Sequence, residues 1–238
     1  MPPADPEEIA RLAGLIHELW MQSKSGAPSA TARAELDGVI NSLFPDVEEN
    51  PLNFILPAYE TLWRVVLRLF IETHRGPPEW REVLGLYLQE PSSTLFRNSR
   101  DGVSPAFLVH EALRLYPPTK RVHRAVSEKA WVAIDVEKLQ MDEGVWGGDA
   151  KEFRPERWRY VTGDKQAAEM GWMPFGAGCF VCPAKGVFAP RLIALLVAAV
   201  GKAVPAEAKP MAEREEDFLE KGRLDNERDG YGTLNYCW

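Results

Sequence analysis

The chain is 238 residues long, enough for one large domain or two small ones and for a sizeable core. Apolar residues make up 45% and charged residues 26%, the proportions of a globular protein. The net charge of −7 argues against nucleic acid as a partner, and three cysteines do not make a disulfide framework, which points to a reducing compartment.

The opening residues, Met1 to Glu8, read neither as a signal peptide nor as a membrane anchor. The longest uncharged apolar run, Leu192 to Gly201, is about half of what a bilayer span needs. The expected location is the cytoplasm or the membrane periphery. Asp5 as N-cap and Pro6 at the first helical position predict a helix over 6–21, with Ile9, Leu12, Ala13, Ile16, Leu19 and Trp20 on one stripe. A Ser/Gly/Pro linker over 22–29 leads to a second short helix over 30–43.

Asn50-Pro51 starts a long helix that runs to about His74. Its apolar residues go almost all the way round, which predicts a central, buried element. Pro57 falls inside it, followed by Glu60 and Thr61, whose hydroxyl can reach back toward the Pro57 carbonyl. The site reads either as a packing kink with a self-satisfied threonine or as a widened groove beside an acid–alcohol pair.

Gly76-Pro77-Pro78 ends the long helix, a further helix covers 79–89, and 92–102 reads as polar loop. Ser104 caps and Pro105 opens the next helix, which stops before Pro117-Pro118. In it Glu111 and Arg114 share one face, set among Phe107, Leu108, Val109, Leu113 and Leu115, so the pair is partly buried and needs further partners. His110-Glu111 does not begin a zinc-protease helix, because Arg114 stands where the second histidine is needed.

From Lys120 to Ile134 the pattern turns strand-like, and Arg121, His123 and Arg124 form a basic cluster that reads as a solvated edge or as an anion site. The stretch 142–159 is loop-rich and aromatic. The loop from Pro174 to Arg191 follows, with Gly176, Gly178, Cys182, Pro183 and then an apolar run. A thiolate next to a helix N-terminus is favoured by spare amides and the helix dipole. Gly176 and Gly178 permit positive φ or the close approach of a flat partner. The loop therefore reads as offering one sulfur to a large planar cofactor, or as a buried cysteine in a turn. The Cys179-x-x-Cys182 spacing also suits a dithiol redox centre, but no βαβ pattern surrounds it, and Cys179 reads as a small filler.

Four of these stretches, in order, resemble the C-terminal half of a cytochrome P-450, the haem-thiolate monooxygenase family. They are Ala58-Tyr59-Glu60-Thr61, Glu111-Ala112-Leu113-Arg114, Phe153-Arg154-Pro155-Glu156-Arg157-Trp158, and Phe175-x-x-Gly178-x-x-x-Cys182. The resemblance covers roughly 35–238 and divides the chain into an N-terminal helix and linker, 1–34, and a haem-binding region, 35–238. It implies a mainly α fold with a small β component, a P-450 fold truncated at its N-terminus. The implied cofactor is heme b (iron protoporphyrin IX), with Cys182 as iron ligand, Phe175, Gly176 and Gly178 shaping its loop, and Arg124, His123 or Arg121 at a propionate. Thr61 and Glu60 are the implied proton-delivering pair, and Glu111, Arg114 and Arg157 a structural network. The implied activity is oxygen insertion from dioxygen into a small apolar substrate, with an external reductase as electron donor meeting the surface near Lys185 and Arg191. The alternative is a non-catalytic remnant that binds haem weakly, or a partner covering apolar surface that the missing half would cover. Three residues depart from the family pattern: Phe180 where a cation is usual, Ala184 for glycine, and Pro190 in the helix behind the loop, which predicts a kink there or a start near Pro190.

Overall fold

The computed structural model describes residues 5–100, 102–127, 130–205, 207–211 and 235–237. It divides into two compact units, Met1–Ala58 and Tyr59–Trp238. In the first, α1 (Pro6–Ser25) and α2 (Ala30–Leu43) form a helical hairpin. The Asp5 carboxylate accepts the Glu7 N–H at 3.0 Å and starts α1, and the Ser29 hydroxyl accepts the Ala32 N–H at 3.3 Å and starts α2. Leu12, Leu15 and Ile16 face Leu36, Val39 and Ile40 in its apolar seam. The Arg11–Glu35 ion pair and the Ser42–Glu8 hydrogen bond tie its rim.

The long helix α3 spans Leu52–Arg75, and the Asn50 side chain accepts the Leu52 N–H at its start. It is not buried throughout. Phe54 is 67% exposed, and full burial begins at Val65, continuing through Leu69, Phe70 and Ile71. An apolar circumference thus reports a buried element only where neighbouring helices close round it.

The second unit packs the C-terminal part of α3 with α4 (Pro78–Gln89), α6 (Pro105–Leu115) and α10 (Phe188–Ala203). Val65 and Leu69, Leu84 and Tyr87, Leu108 and Ala112, Ile193 and Ala194 make its centre, each almost fully shielded from water. The polar stretch 92–102 is not all loop. Ser92 caps a short helix, α5 (Ser93–Arg97), and Phe96 is buried with its ring 5.5 Å from that of Tyr87.

β1 (Arg121–Ser127) and β2 (Ala130–Asp135) form an antiparallel hairpin in which Arg121 faces Asp135 and Arg124 faces Val132. Two short helices, α7 (Val136–Gln140) and α8 (Glu143–Trp146), a 3-10 turn over Pro155–Arg159 and α9 (Asp164–Glu169) follow. A second two-stranded pair joins β3 (Lys209–Met211) to β4 (Asn235–Cys237). The architecture is mainly α with a small β component, as the resemblance implies. No helix among the described residues is long and apolar enough to cross a membrane.

α10 starts at Phe188, six residues beyond Cys182, so Pro183 opens only a 3-10 turn and not the helix. Pro190 is the third residue of α10, where a backbone N–H would lack an intrahelical partner anyway. The start near Pro190 is therefore observed, without a break inside the helix.

Candidate functional site

Two constructions make the site: a buried charge network and the cysteine loop that rests on it. Glu111 and Arg114 sit on successive turns of α6 and are both 0% exposed. Arg114 donates Nε to Glu111 Oε2 at 2.9 Å and Nη2 to Oε1 at 2.8 Å, a bidentate pair. Its Nη1 donates to the carbonyls of Gln140 and Ala150 at 2.8 and 2.6 Å. Glu111 also accepts from Arg157 Nε at 2.9 Å, Trp158 Nε1 at 2.9 Å and the Arg154 backbone N–H at 3.0 Å. The partial burial expected for the pair is complete burial, and the extra partners it needs are present. Such a pair is tolerated in a dry core because every charge in it is met.

Arg157 extends the network through Nη1 to the Trp146 carbonyl and to Asp149, both at 3.2 Å. Burial works against ionisation of Asp149, but its hydrogen bond to Arg157 and the charges of Arg157 and Arg154 outweigh it and hold the carboxyl below the usual range. With Asp149 included, two carboxylates balance Arg114 and Arg157.

Gln140, fully buried, was not singled out from the sequence. Its Nε2 donates to the Leu113 and Arg114 carbonyls at 3.1 and 2.9 Å, capping the end of α6, and its Oε1 accepts the Met173 N–H at 2.8 Å. It ties the network to the segment that leads into the loop. Trp172 continues this path, with its ring 5.2 Å from Trp158 and from His110, and Phe175 6.2 Å beyond it. A second unforeseen cluster joins α3 to the end of α6. Arg68 lies 4.3 Å over the Tyr116 ring and donates to its hydroxyl at 3.0 Å, and that hydroxyl donates to Glu72. Burial first, and then the Glu72 charge, push the Tyr116 phenol up against the opposing effect of Arg68. The i, i+4 spacing of Arg68 and Glu72 was the sequence signal for this cluster.

The loop closes on itself where the Cys182 N–H donates to the Phe175 carbonyl at 2.8 Å. Gly176 has φ +74° and Gly178 φ +63°, so both glycines occupy left-handed backbone. A β-carbon on Gly176 would stand 2.9 Å from the Phe180 carbonyl, whereas one on Gly178 would meet nothing within 4 Å. Cys182 is exposed rather than buried in a turn, and Cys179 is also exposed rather than filling the loop. In the chain on either side of Cys182, Phe180 is 64% exposed, and Val181, Val187 and Phe188 are also exposed.

The basic cluster on β1 divides by strand alternation, with Arg121 and His123 exposed and Arg124 half-buried on the other side. Arg124 places its guanidinium 4.4 Å from the Phe180 ring centroid, so this cation reaches the cysteine loop. Arg121 lies 3.8 Å from Asp135. Glu60 and Thr61 lie near the start of the second unit on α3, both partly buried. Lys185 is 3.4 Å from Asp164 and Arg191 donates to the Ser93 hydroxyl at 2.6 Å, so both cations near the loop are engaged.

An accessible thiol, exposed apolar residues in the same segment, left-handed glycines and a guanidinium on the Phe180 ring make a donor set that fits a large, flat, mostly apolar cofactor with anionic substituents. A cytochrome P-450 family profile matches residues 107–187. The putative cytochrome P-450 CYP13A4 of Caenorhabditis elegans is 40% identical over 88 residues, covering 32% of this chain and 16% of that protein. Cytochrome P-450 71A20 of Arabidopsis thaliana is 35% identical over 107 residues, 40% of this chain and 21% of that protein. The 11-oxo-beta-amyrin 30-oxidase of Glycyrrhiza uralensis is 33% identical over 86 residues, 32% of this chain and 16% of that protein. The chain thus spans between about a sixth and a fifth of the length of these relatives.

Proposed function

We propose, from the premise that the chain belongs to the cytochrome P-450 superfamily through residues 107–187, that it acts as a haem-thiolate monooxygenase on a small apolar organic substrate. The observation that carries this reading is the exposed Cys182 thiol on a loop closed by its own backbone and flanked in the chain by exposed apolar residues. Haem is the cofactor of the superfamily, and bound through a thiolate it supplies activation of dioxygen by electron donation from sulfur.

The chain's own residues would do the rest. Cys182 offers its sulfur to the iron. Phe175, Gly176 and Gly178 shape the loop that presents it, and the exposed Phe180 and Val181 would lend the cofactor apolar surface. Arg124, steadied on the Phe180 ring, meets a propionate in place of the cation that Phe180 replaces, with His123 and Arg121 adding positive potential along the same strand. On α3, the Thr61 hydroxyl and the Glu60 carboxylate would be the pair that holds and passes protons. Glu111, Arg114 and Arg157 hold the frame under the loop. Electrons come from an external reductase.

The test is to supply haem to the protein, reduce it, add carbon monoxide and record the Soret band. The strongly red-shifted band of a thiolate-ligated complex is expected, and Cys182→Ala removes it. No haem uptake overturns the proposal. Haem uptake with the thiolate band but no product from substrate, reductant and dioxygen favours the second reading, a haem-binding remnant, to which the replacement of a propionate cation by Phe180 also points.

A further inference from the structure

A cleft of about 360 Å³ lies between the C-terminal part of α3, α4 and α10, and shares no residue with the cysteine loop or the Glu111 network. That volume is within the range of small-molecule sites. Its walls are apolar, formed by Phe70, Leu84, Leu88 and Val197. Two glycines make the room: Gly85 inside α4 and Gly201 in the last turn of α10. A β-carbon on either would meet no atom within 4 Å, and neither has the positive φ that would demand glycine. Glycine weakens a helix relative to alanine, so packing and backbone geometry leave both residues unexplained, whereas the open space they leave does not.

The rim is cationic. Arg81 spends Nη1 on the carbonyls of Thr73 and His74, at 3.1 and 2.9 Å, and Lys202 lies on the opposite helix. Among the described residues no aspartate or glutamate lines the cleft, and no carboxylate pairs with Arg81 or Lys202. The Thr73 hydroxyl is taken up by the carbonyls of Leu69 and Phe70, and the His74 Nε2 lies 2.6 Å from the Ala208 carbonyl, so Gln89 and the two cations make up the rest of the polar lining.

We infer that this cleft binds an amphipathic anion, a medium-chain carboxylate whose tail lies along Phe70, Leu84, Leu88 and Val197 and whose head meets Arg81 and Lys202. A carboxylate supplies the acceptor that the Arg81 fork lacks, and the alkyl chain fills the space left by the two glycines. The site does not depend on the haem reading.

The test is calorimetric titration of the full chain with decanoate, using decyltrimethylammonium as the cationic comparator, with and without haem supplied. One-to-one saturable binding of decanoate is expected, at least ten-fold tighter than the cationic amphiphile and equal with and without haem. Gly85→Leu should fill the cleft and weaken decanoate at least ten-fold while keeping a cooperative thermal melt. Lys202→Gln should weaken it at least three-fold. Absence of saturable binding overturns the inference, as does equal affinity for the two head groups. A folded Gly85→Leu protein that binds as before also overturns it, because the amphiphile then sits elsewhere, such as on the exposed apolar residues of the cysteine loop. Should Gly85→Leu lose its cooperative melt, Lys202→Gln decides: unchanged affinity there overturns the site.

Discussion

Five donors converge on the carboxylate of Glu111, three on Oε1 and two on Oε2. Removing its charge leaves Arg114 without a carboxylate in a dry core and Arg157 with Asp149 alone, and breaking a buried pair in this way costs about 3–5 kcal/mol. Glu111→Gln is expected to lower the urea midpoint accordingly, and Arg157→Lys to lower it less, since lysine keeps the charge but not the reach to Trp146 and Asp149. A Glu111→Gln midpoint within experimental error of the parent would show the network to be dispensable. His110 permits a second measurement. It lies between the Trp158 and Trp172 rings, where burial, opposed by Asp164 and aided by Lys185, pushes it down from 6.5 to about 4. A folded-state value below the unfolded one means that the unfolded chain binds the extra proton. This contribution to stability is fully present above pH 6.5 and is lost as pH falls from there toward 4. His110→Phe should flatten the denaturation-midpoint profile across that window, and an unchanged profile would exclude His110 as a source of it. At this scale the sequence was most informative about charge pairs fixed by helix spacing, such as Glu111 with Arg114. Gln140 and Asp149 were not legible, because their roles come from carbonyls and guanidiniums brought in by tertiary contact.

Elements were legible where capping chemistry is local. Asp5, Asn50 and Ser104 each mark a helix start that the structure contains. The short α5 was missed because a stretch rich in serine and arginine carries no apolar period, and it takes the burial of Phe96 to hold it. Burial of α3 was over-read for the complementary reason: its circumference is apolar along its length, yet Phe54 is exposed and full shielding begins only at Val65. The first turn of α10 gives the prediction at this scale. Pro190 replaces an N–H that would be unpaired, so Pro190→Ala should change the thermal stability by less than about 1 kcal/mol, against about 3 kcal/mol for a proline at a helix interior. A large gain on substitution would mean that Pro190 strains the helix.

For the molecule as a whole, exposed Phe180, Val181, Val187 and Phe188 add apolar surface in the same segment as the exposed Cys182 thiol. A ligand that covers it and binds only the folded chain raises stability by mass action. Haem is therefore expected to raise the melting temperature and to displace a surface-binding hydrophobic dye such as anilinonaphthalene sulfonate, with both effects reduced in Cys182→Ala. Haem uptake that leaves dye binding unchanged would separate this surface from the cofactor site. The fold class and the order of landmarks were legible from the sequence because motif order is a property of the chain. The division of the chain into compact units at Ala58 was not, since one continuous helix runs through it.

The donors to Glu111 also bear on time. Apart from Arg114 they come from residues 43 to 47 positions later in the chain, so the carboxylate meets them only after a long loop has closed. Contacts of this span slow folding. Those made after the transition state act on the unfolding rate and leave the folding rate alone. The network beneath the cysteine loop would then serve as a latch, setting how long a folded molecule lasts more than how quickly it forms.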